Sequence, residues 1–227
     1  MPKTRTLPSR QRSQVLRAYR ARGHSNRNIW LVYSIKTSRD WILTSDRYLV
    51  HWLLFLETNP EVRTFEIDPP ENVAGNLQHG RSSNFNAVVT VGNGTVEYHQ
   101  LISSGADDGK SRQRVNVLTD SGSKLVRIFS DADLYPRAEE AMRWLKLIGY
   151  GAAIREEQQT DATVAIAAFL SSKGDGTVHD LLARLQDFDL QIVLGVFSRM
   201  AILGDIALDL SSSGFTLASR WTWRNKQ

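Results

Sequence analysis

The sequence contains no cysteine, which excludes disulfides and thiolate zinc sites and agrees with a reducing compartment. No apolar run approaches the roughly 18 residues a membrane helix requires. No apolar core follows the N-terminal charges, so a secretory signal is not expected there. The histidines His24, His51, His79, His99 and His179 include no pair at helical i, i+4 spacing, so no zinc-binding helix is expected. The turns GNGT and GDGT lack the Gly-Lys-Ser/Thr of a phosphate loop, and Ser103-Ser104-Gly105 lacks the strand-turn-helix frame of a nucleophile elbow. Acidic residues are missing altogether from the first 39 positions.

What is present starts from that last absence. The 227 residues suffice for one large domain or two small ones, and they carry 28 Lys and Arg against 24 Asp and Glu. Ten of the basic residues fall within residues 1–39, so the remainder holds 18 basic against 24 acidic residues, a net of −6. The positive charge therefore belongs to an N-terminal arm, residues 1–27, and such an arm is the footprint of a polyanion partner, most often nucleic acid. Its DNA-binding residues are expected to be Lys3, Arg5, Arg10, Arg12, Arg17, Arg20, Arg22 and Arg27.

Residue patterns predict the elements. SRQRSQVLRAYRARGHS reads as a short basic helix ending at Gly23. NIWLVYSIKTSRDWILTS is rich in aromatic and β-branched residues and reads as a strand pair. A helix with Ser45 or Asp46 as N-cap and an apolar stripe of Leu49, Trp52, Leu53 and Leu56 stops at Asn59-Pro60. EVRTFEIDPP is a strand with a hard end, and SNFNAVVTVGNGTVEYHQLIS is a hairpin turning at Gly92-Asn93-Gly94. A polar loop from Ser104 to Lys124, a short strand LVRIFS, and a helix from Pro136 to about Gly149 follow. Helix, strand, hairpin, strand and helix make an α/β domain over residues 28–155. After a linker from Arg155 to Thr163, three short helices and a hairpin follow the order of a winged helix, residues 160–222, with GDGT as a turn, Thr177 as a helix cap and Gly204 as a stop. Trp221 and Trp223, between Arg220 and Arg224, read either as a DNA contact or as a cap on the core of that domain.

The chemistry-bearing candidates cluster on the predicted helix and hairpin: Asp46 before the apolar stripe, Asn86 opening the hairpin, and Glu97 and Gln100 on its second strand. Metal-dependent nucleases of the restriction-enzyme fold place carboxylates at such positions to hold Mg²⁺, with a lysine two residues beyond the last acid. Here an amide stands at Asn86 and another at Gln100, and Ile102 stands where the lysine is needed.

In order and content, SDRYLVHWLLFLETNPEVRTFEIDPP, SNFNAVV, QLI and LVRIFSDADL resemble the TnsA family, the endonuclease subunits of heteromeric cut-and-paste transposases, and the resemblance spans roughly residues 28–222. It implies a restriction-endonuclease-like mixed sheet followed by a small winged helix. The implied partners are transposon-end DNA, a strand-transfer transposase subunit and an ATPase regulator, with no membrane, in the bacterial cytoplasm at the nucleoid. The family's helix glutamate falls on Tyr48 or Leu49, its strand aspartate on Asn86, its glutamine on Gln100 and its lysine on Ile102, so the implied site is degenerate. Two alternatives stay open. One is an active endonuclease cutting the 5′ ends of the element, using Mg²⁺ held by Asp46, Glu97 and Gln100, with Lys110 or Lys124 swung into place. The other is a winged-helix transcriptional regulator with an N-terminal dimerisation module. The expected third helix, LQIVLGVFSRMAI, leans against the regulator, since it offers only Gln191, Ser198 and Arg199 to a DNA groove.

Overall fold

The structure is a computed structural model that describes residues 9–21, 28–68, 86–102, 114–119 and 122–224. It is an α/β fold with a mixed five-stranded sheet. Helix α1 (Ser9–Ala21) is followed by the antiparallel hairpin of β1 (Trp30–Ser34) and β2 (Arg39–Leu43). Ser45 caps α2 (Asp46–His51), its hydroxyl accepting from the Tyr48 amide, and the helix then widens into a π-helical segment, Trp52–Glu57. Trp52, Leu53 and Leu56 are fully buried, as the apolar stripe predicts.

Strands β3 (Val62–Ile67), β4 (Ala87–Val91) and β5 (Val96–Ile102) form an antiparallel meander, with Gly94 in the left-handed region at φ 83° in the β4–β5 turn. Strand β7 (Gly122–Ser130) lies parallel to β5, and β6 (Arg114–Thr119) closes the edge antiparallel to β7. The polar loop expected from Ser104 to Lys124 is thus in part a strand pair. RVNVLT alternates as a strand does, but polar and glycine-rich flanks hide the pattern, and pairing with β7 satisfies its backbone.

Register decides which residues face α2. The cross-strand rows Phe65–Val89–Glu97–Leu125 and Ile67–Ala87–His99–Arg127 share one face, against which α2 and the π segment pack through His51, Trp52 and Phe55. Tyr98 and Gln100 alternate to the other face.

Ser130 opens α3 (Asp131–Leu134) in a capping box with Asp133; a 3₁₀ turn, Tyr135–Arg137, leads into α4 (Ala138–Ala153). The helix expected to end near Gly149 runs four residues further. Gly149 keeps helical φ and faces open space, and buried Leu147, Ile148 and Gly151 hold the last turns in place. Helices α5 (Thr160–Lys173), α6 (Val178–Arg184) and α7 (Leu190–Leu203) follow. GDGT supplies a turn only at Gly174 (φ 83°); Asp175–Thr177 form β8, so the expected hairpin of β9 (Ile206–Leu208) and β10 (Arg220–Trp223) is part of a three-stranded sheet, β8-β10-β9. Thr177 caps α6 and Gly204 ends α7 in the left-handed conformation, both as the sequence predicts. Trp221 is a core residue, its indole N–H donating to the Thr177 carbonyl at 2.9 Å.

One contiguous cluster of buried residues runs from Val32 through Trp52, Leu147 and Phe197 to Trp221. Helices α4 and α7 meet in its middle, and Gly195 lets them approach: a Cβ there would stand 2.8 Å from Ile154 Cδ1 and 3.0 Å from the Tyr150 carbonyl oxygen. No helix among the described residues is long and apolar enough to cross a membrane. Gly195→Ala is expected to lower stability by about 1–3 kcal/mol through overpacking, while Gly149→Ala, with open space around it, raises it by about 0.5–1 kcal/mol; urea midpoints of the two variants and the parent check both signs.

Candidate functional site

The C-terminal end of β5 and the first turn of α2 border an open cleft of about 510 Å³, lined by Asp46, Arg47, Tyr48, Asn86, Leu101 and neighbouring polar residues. Of the acid and amide candidates expected from the sequence, Asp46 and Asn86 line this cleft.

A directional hydrogen-bond chain fills its inner wall. The Leu101 amide donates to Asn86 Oδ1 at 2.6 Å, which fixes the orientation of the side-chain amide. Asn86 Nδ2 then donates to the Tyr48 hydroxyl at 2.7 Å, and that hydroxyl donates to Asp68 Oδ1 at 2.9 Å. Asp68 ends β3 with φ at 48°, and its backbone N–H donates to the Asn86 carbonyl at 3.0 Å. Burial first, and then the Asp68 charge, push the Tyr48 phenol up to about 12, so it is neutral at physiological pH. Burial likewise raises the Asp68 carboxyl above its ordinary value, against the lowering effect of the Tyr48 hydrogen bond. Asp46 stands outside this chain and accepts from Trp30 Nε1 at 2.8 Å and from the cleft-lining Asn28 Nδ2 at 3.1 Å.

Glu97 and Gln100 lie elsewhere. Glu97 is 2 % exposed beneath α2, 3.2 Å from His99 Nε2 and 3.8 Å from Arg127. His99 Nδ1 is in turn 3.2 Å from His51 Nε2. The bonds are satisfied when His99 donates to Glu97 and accepts from the His51 Nε2–H, which leaves His51 Nδ1 buried with no partner among the described residues. Burial, and after it the nearby His99 and Arg127, hold His51 well below the ordinary histidine range. Gln100 alternates away from the cleft-lining Leu101 and pairs across the sheet with Ile128. Lys124 lies over the Tyr98 ring at 4.7 Å, on the strand face opposite His99, and Lys110 is outside the described residues.

These residues do not fit Mg²⁺. The Asn86 oxygen is occupied by Leu101 and its NH₂ points into the chain, Tyr48 is a neutral phenol, Asp68 is held by that phenol, and Asp46 is turned to Trp30 and Asn28. A hard dication needs several anionic or carbonyl oxygens pointing at one centre. Among the described residues, no group of three His, Asp or Glu side chains is placed to hold a metal ion.

Of the arm, α1 presents Arg17 and Arg20 as exposed residues; Lys3, Arg5, Arg22 and Arg27, and the side chains of Arg10 and Arg12, lie outside the described residues. Sequence reasoning missed the role of Asp68, whose signal was its place at the end of a strand beside the double proline, and the His51–His99 pair, which had none across 48 positions. No family model matches the chain, and no curated protein matches it.

Two outcomes are expected. Because the folded state disfavours the His51 proton that the unfolded chain accepts near pH 6.5, stability falls as pH drops below 6.5, by up to about 1.4 kcal/mol per pH unit for that proton. His51→Leu removes this slope whatever it does at neutral pH, as urea melts across pH 5–8 would register. Separately, Tyr48→Glu with Asn86→Asp places two carboxylates where phenol and amide now meet. Isothermal titration should detect Mg²⁺ binding in this double variant and none at the cleft of the parent chain.

Proposed function

We propose that the chain is a TnsA-like subunit of a multi-protein DNA transposase, acting at the nucleoid in a bacterial cytoplasm. In this reading it holds transposon-end DNA and bridges the strand-transfer subunit and the ATPase regulator without cutting DNA itself. The observation that carries the reading is the Leu101–Asn86–Tyr48–Asp68 chain: where a nuclease of this kind needs converging anionic oxygens, a neutral phenol and a neutral amide bond to each other. The order of elements supports it as well. A helix precedes three antiparallel strands, the next long strand returns parallel to the third, and a helix follows, as expected of a restriction-endonuclease-like domain. The three C-terminal helices and small antiparallel sheet have the order of a winged helix.

The regulator reading loses support from α7. Nine of its residues are buried, Ser198 bonds back to the Leu194 carbonyl, and Arg199 donates to the carbonyls of Glu157 and Ile154, so this helix packs instead of presenting donors to a groove. DNA is held instead by the arm through phosphates, without base readout.

The test is a nicking assay on supercoiled and end-containing DNA with Mg²⁺ and Mn²⁺, alone and with the two partner subunits, beside a gel-shift titration in salt. The expected result is no metal-dependent nicks, DNA binding whose log affinity falls linearly with log salt, and a shallower slope when residues 1–27 are removed. Metal-dependent nicks abolished by Asp46→Ala with Gln100→Ala would overturn the loss of cleavage.

A further inference from the structure

The corner that follows β7 carries an aromatic and guanidinium cluster that the cleft does not use. Tyr135 is 84 % exposed, beyond any other large hydrophobic side chain among the described residues. Its backbone is held between the buried Leu134 and Pro136 in the 3₁₀ turn, so the ring is presented to solvent from a rigid support. Two positions on, the Arg137 guanidinium lies 4.9 Å from the Phe55 ring centre, and that of Arg127 lies 5.6 Å from the same ring. Phe55, Phe129, Asp133 and the two arginines enclose a hollow of about 150 Å³.

Of the acids nearby, Asp131, Asp133, Glu97 and Glu139 have other partners, Glu139 pairing with Arg143, while Glu140 is half-buried in the first turn of α4. Asp133 accepts from the Ser130 amide and hydroxyl, both at 2.9 Å, Asp131 is bonded to Arg47, and Glu97 stands 3.8 Å from Arg127. Arg137 meets no carboxylate within 4.0 Å among the described residues. A cation stacked on one aromatic ring, beside a second cation and an outward-facing tyrosine, combines what unpaired nucleic acid needs: a phosphate partner and a free π-face. Bases of an intact duplex are already stacked on one another, so Tyr135 can add only to an unpaired end.

We propose that this corner binds an unpaired stretch of DNA, with a base stacked on Tyr135 and a phosphate held at Arg137. The inference rests on the DNA-binding reading above and names the substrate form that reading leaves open. The Arg47–Asp131 ion pair joins the cleft-lining first turn of α2 to the start of α3, the helix that leads into this corner.

The experiment is fluorescence anisotropy of the full chain with a DNA hairpin carrying a single-stranded thymidine tail and with the same hairpin blunt. The parent is expected to bind the tailed hairpin more tightly. Tyr135→Ala should weaken tailed binding about tenfold and leave blunt binding unchanged, and Tyr135→Phe should restore it. Arg137→Ala should weaken tailed binding and reduce its salt slope by about one phosphate. Thermal melts matching the parent establish that the exposed substitutions leave the fold intact. Equal binding of both hairpins, with Tyr135→Ala silent, overturns this inference and leaves the functional reading standing. Binding of neither hairpin overturns both. Unchanged DNA affinity with lost self-association or partner recruitment makes the corner a protein contact and overturns it as well.

Discussion

A single buried carboxylate, Glu57, ties the first hairpin to the rest of the molecule. It accepts from the Ser34 hydroxyl at 2.7 Å, the Ile35 amide at 2.6 Å and the Lys36 amide at 3.4 Å, and so satisfies the donors of the β1–β2 turn from outside the hairpin. Burial raises its pKa, while the three donors and the Lys36 charge pull it back down. The π-helical widening of α2 ends at this residue, and Lys36 returns the contact by donating to the Leu56 and Asn59 carbonyls. Much follows from the hairpin being held there. Its Ile35 packs against Gly151 of α4, its Asp40 pairs with Arg155 at 3.0 Å, and its Trp30 indole donates to the cleft-lining Asp46. A buried acceptor left without these donors would cost about 1–3 kcal/mol, and the cleft wall and the α4 contact would loosen together.

The cleft is built on the opposite principle from a metal site. A catalytic metal centre holds like charges close to one another, a cost that the bound ion relieves. Here the Leu101, Asn86, Tyr48 and Asp68 groups bond to one another in sequence with a single charge among them, so the wall holds without an ion. The buried Glu97–His99–His51 series makes the same substitution under the helix: it is polar and nearly satisfied, and it is closed to solvent. Such networks favour a rigid framework.

Much of the fold was legible because its signals are local. Ser45, Thr177 and Gly204 act on backbone groups within one turn of themselves, and the apolar stripe of α2 needs only its own spacing to find the core. Strand β6 was hidden because its flanks carry the composition of a loop, and α4 passed Gly149 because tertiary packing outweighs the helix cost of one glycine. The cleft was half legible. Asp46 and Asn86 were placed there by spacing along the chain, whereas Gln100 was lost to strand alternation and Glu97 to the face that α2 covers.

The sequence by itself determined the charged arm, the caps and stops at Ser45, Thr177 and Gly204, and the amides at Asn86 and Gln100 with an isoleucine at Ile102, since each of these is set by residue identity or by short-range spacing. Only the tertiary structure decided that Tyr48, Asn86 and Asp68 join in one chain, that His51 meets His99 across 48 positions, and that Tyr135 stands in solvent two positions before an Arg137 stacked on Phe55. Those are statements about which face a side chain takes and what packs against it. Strand register and helix docking settle both, through contacts between residues far apart in the chain.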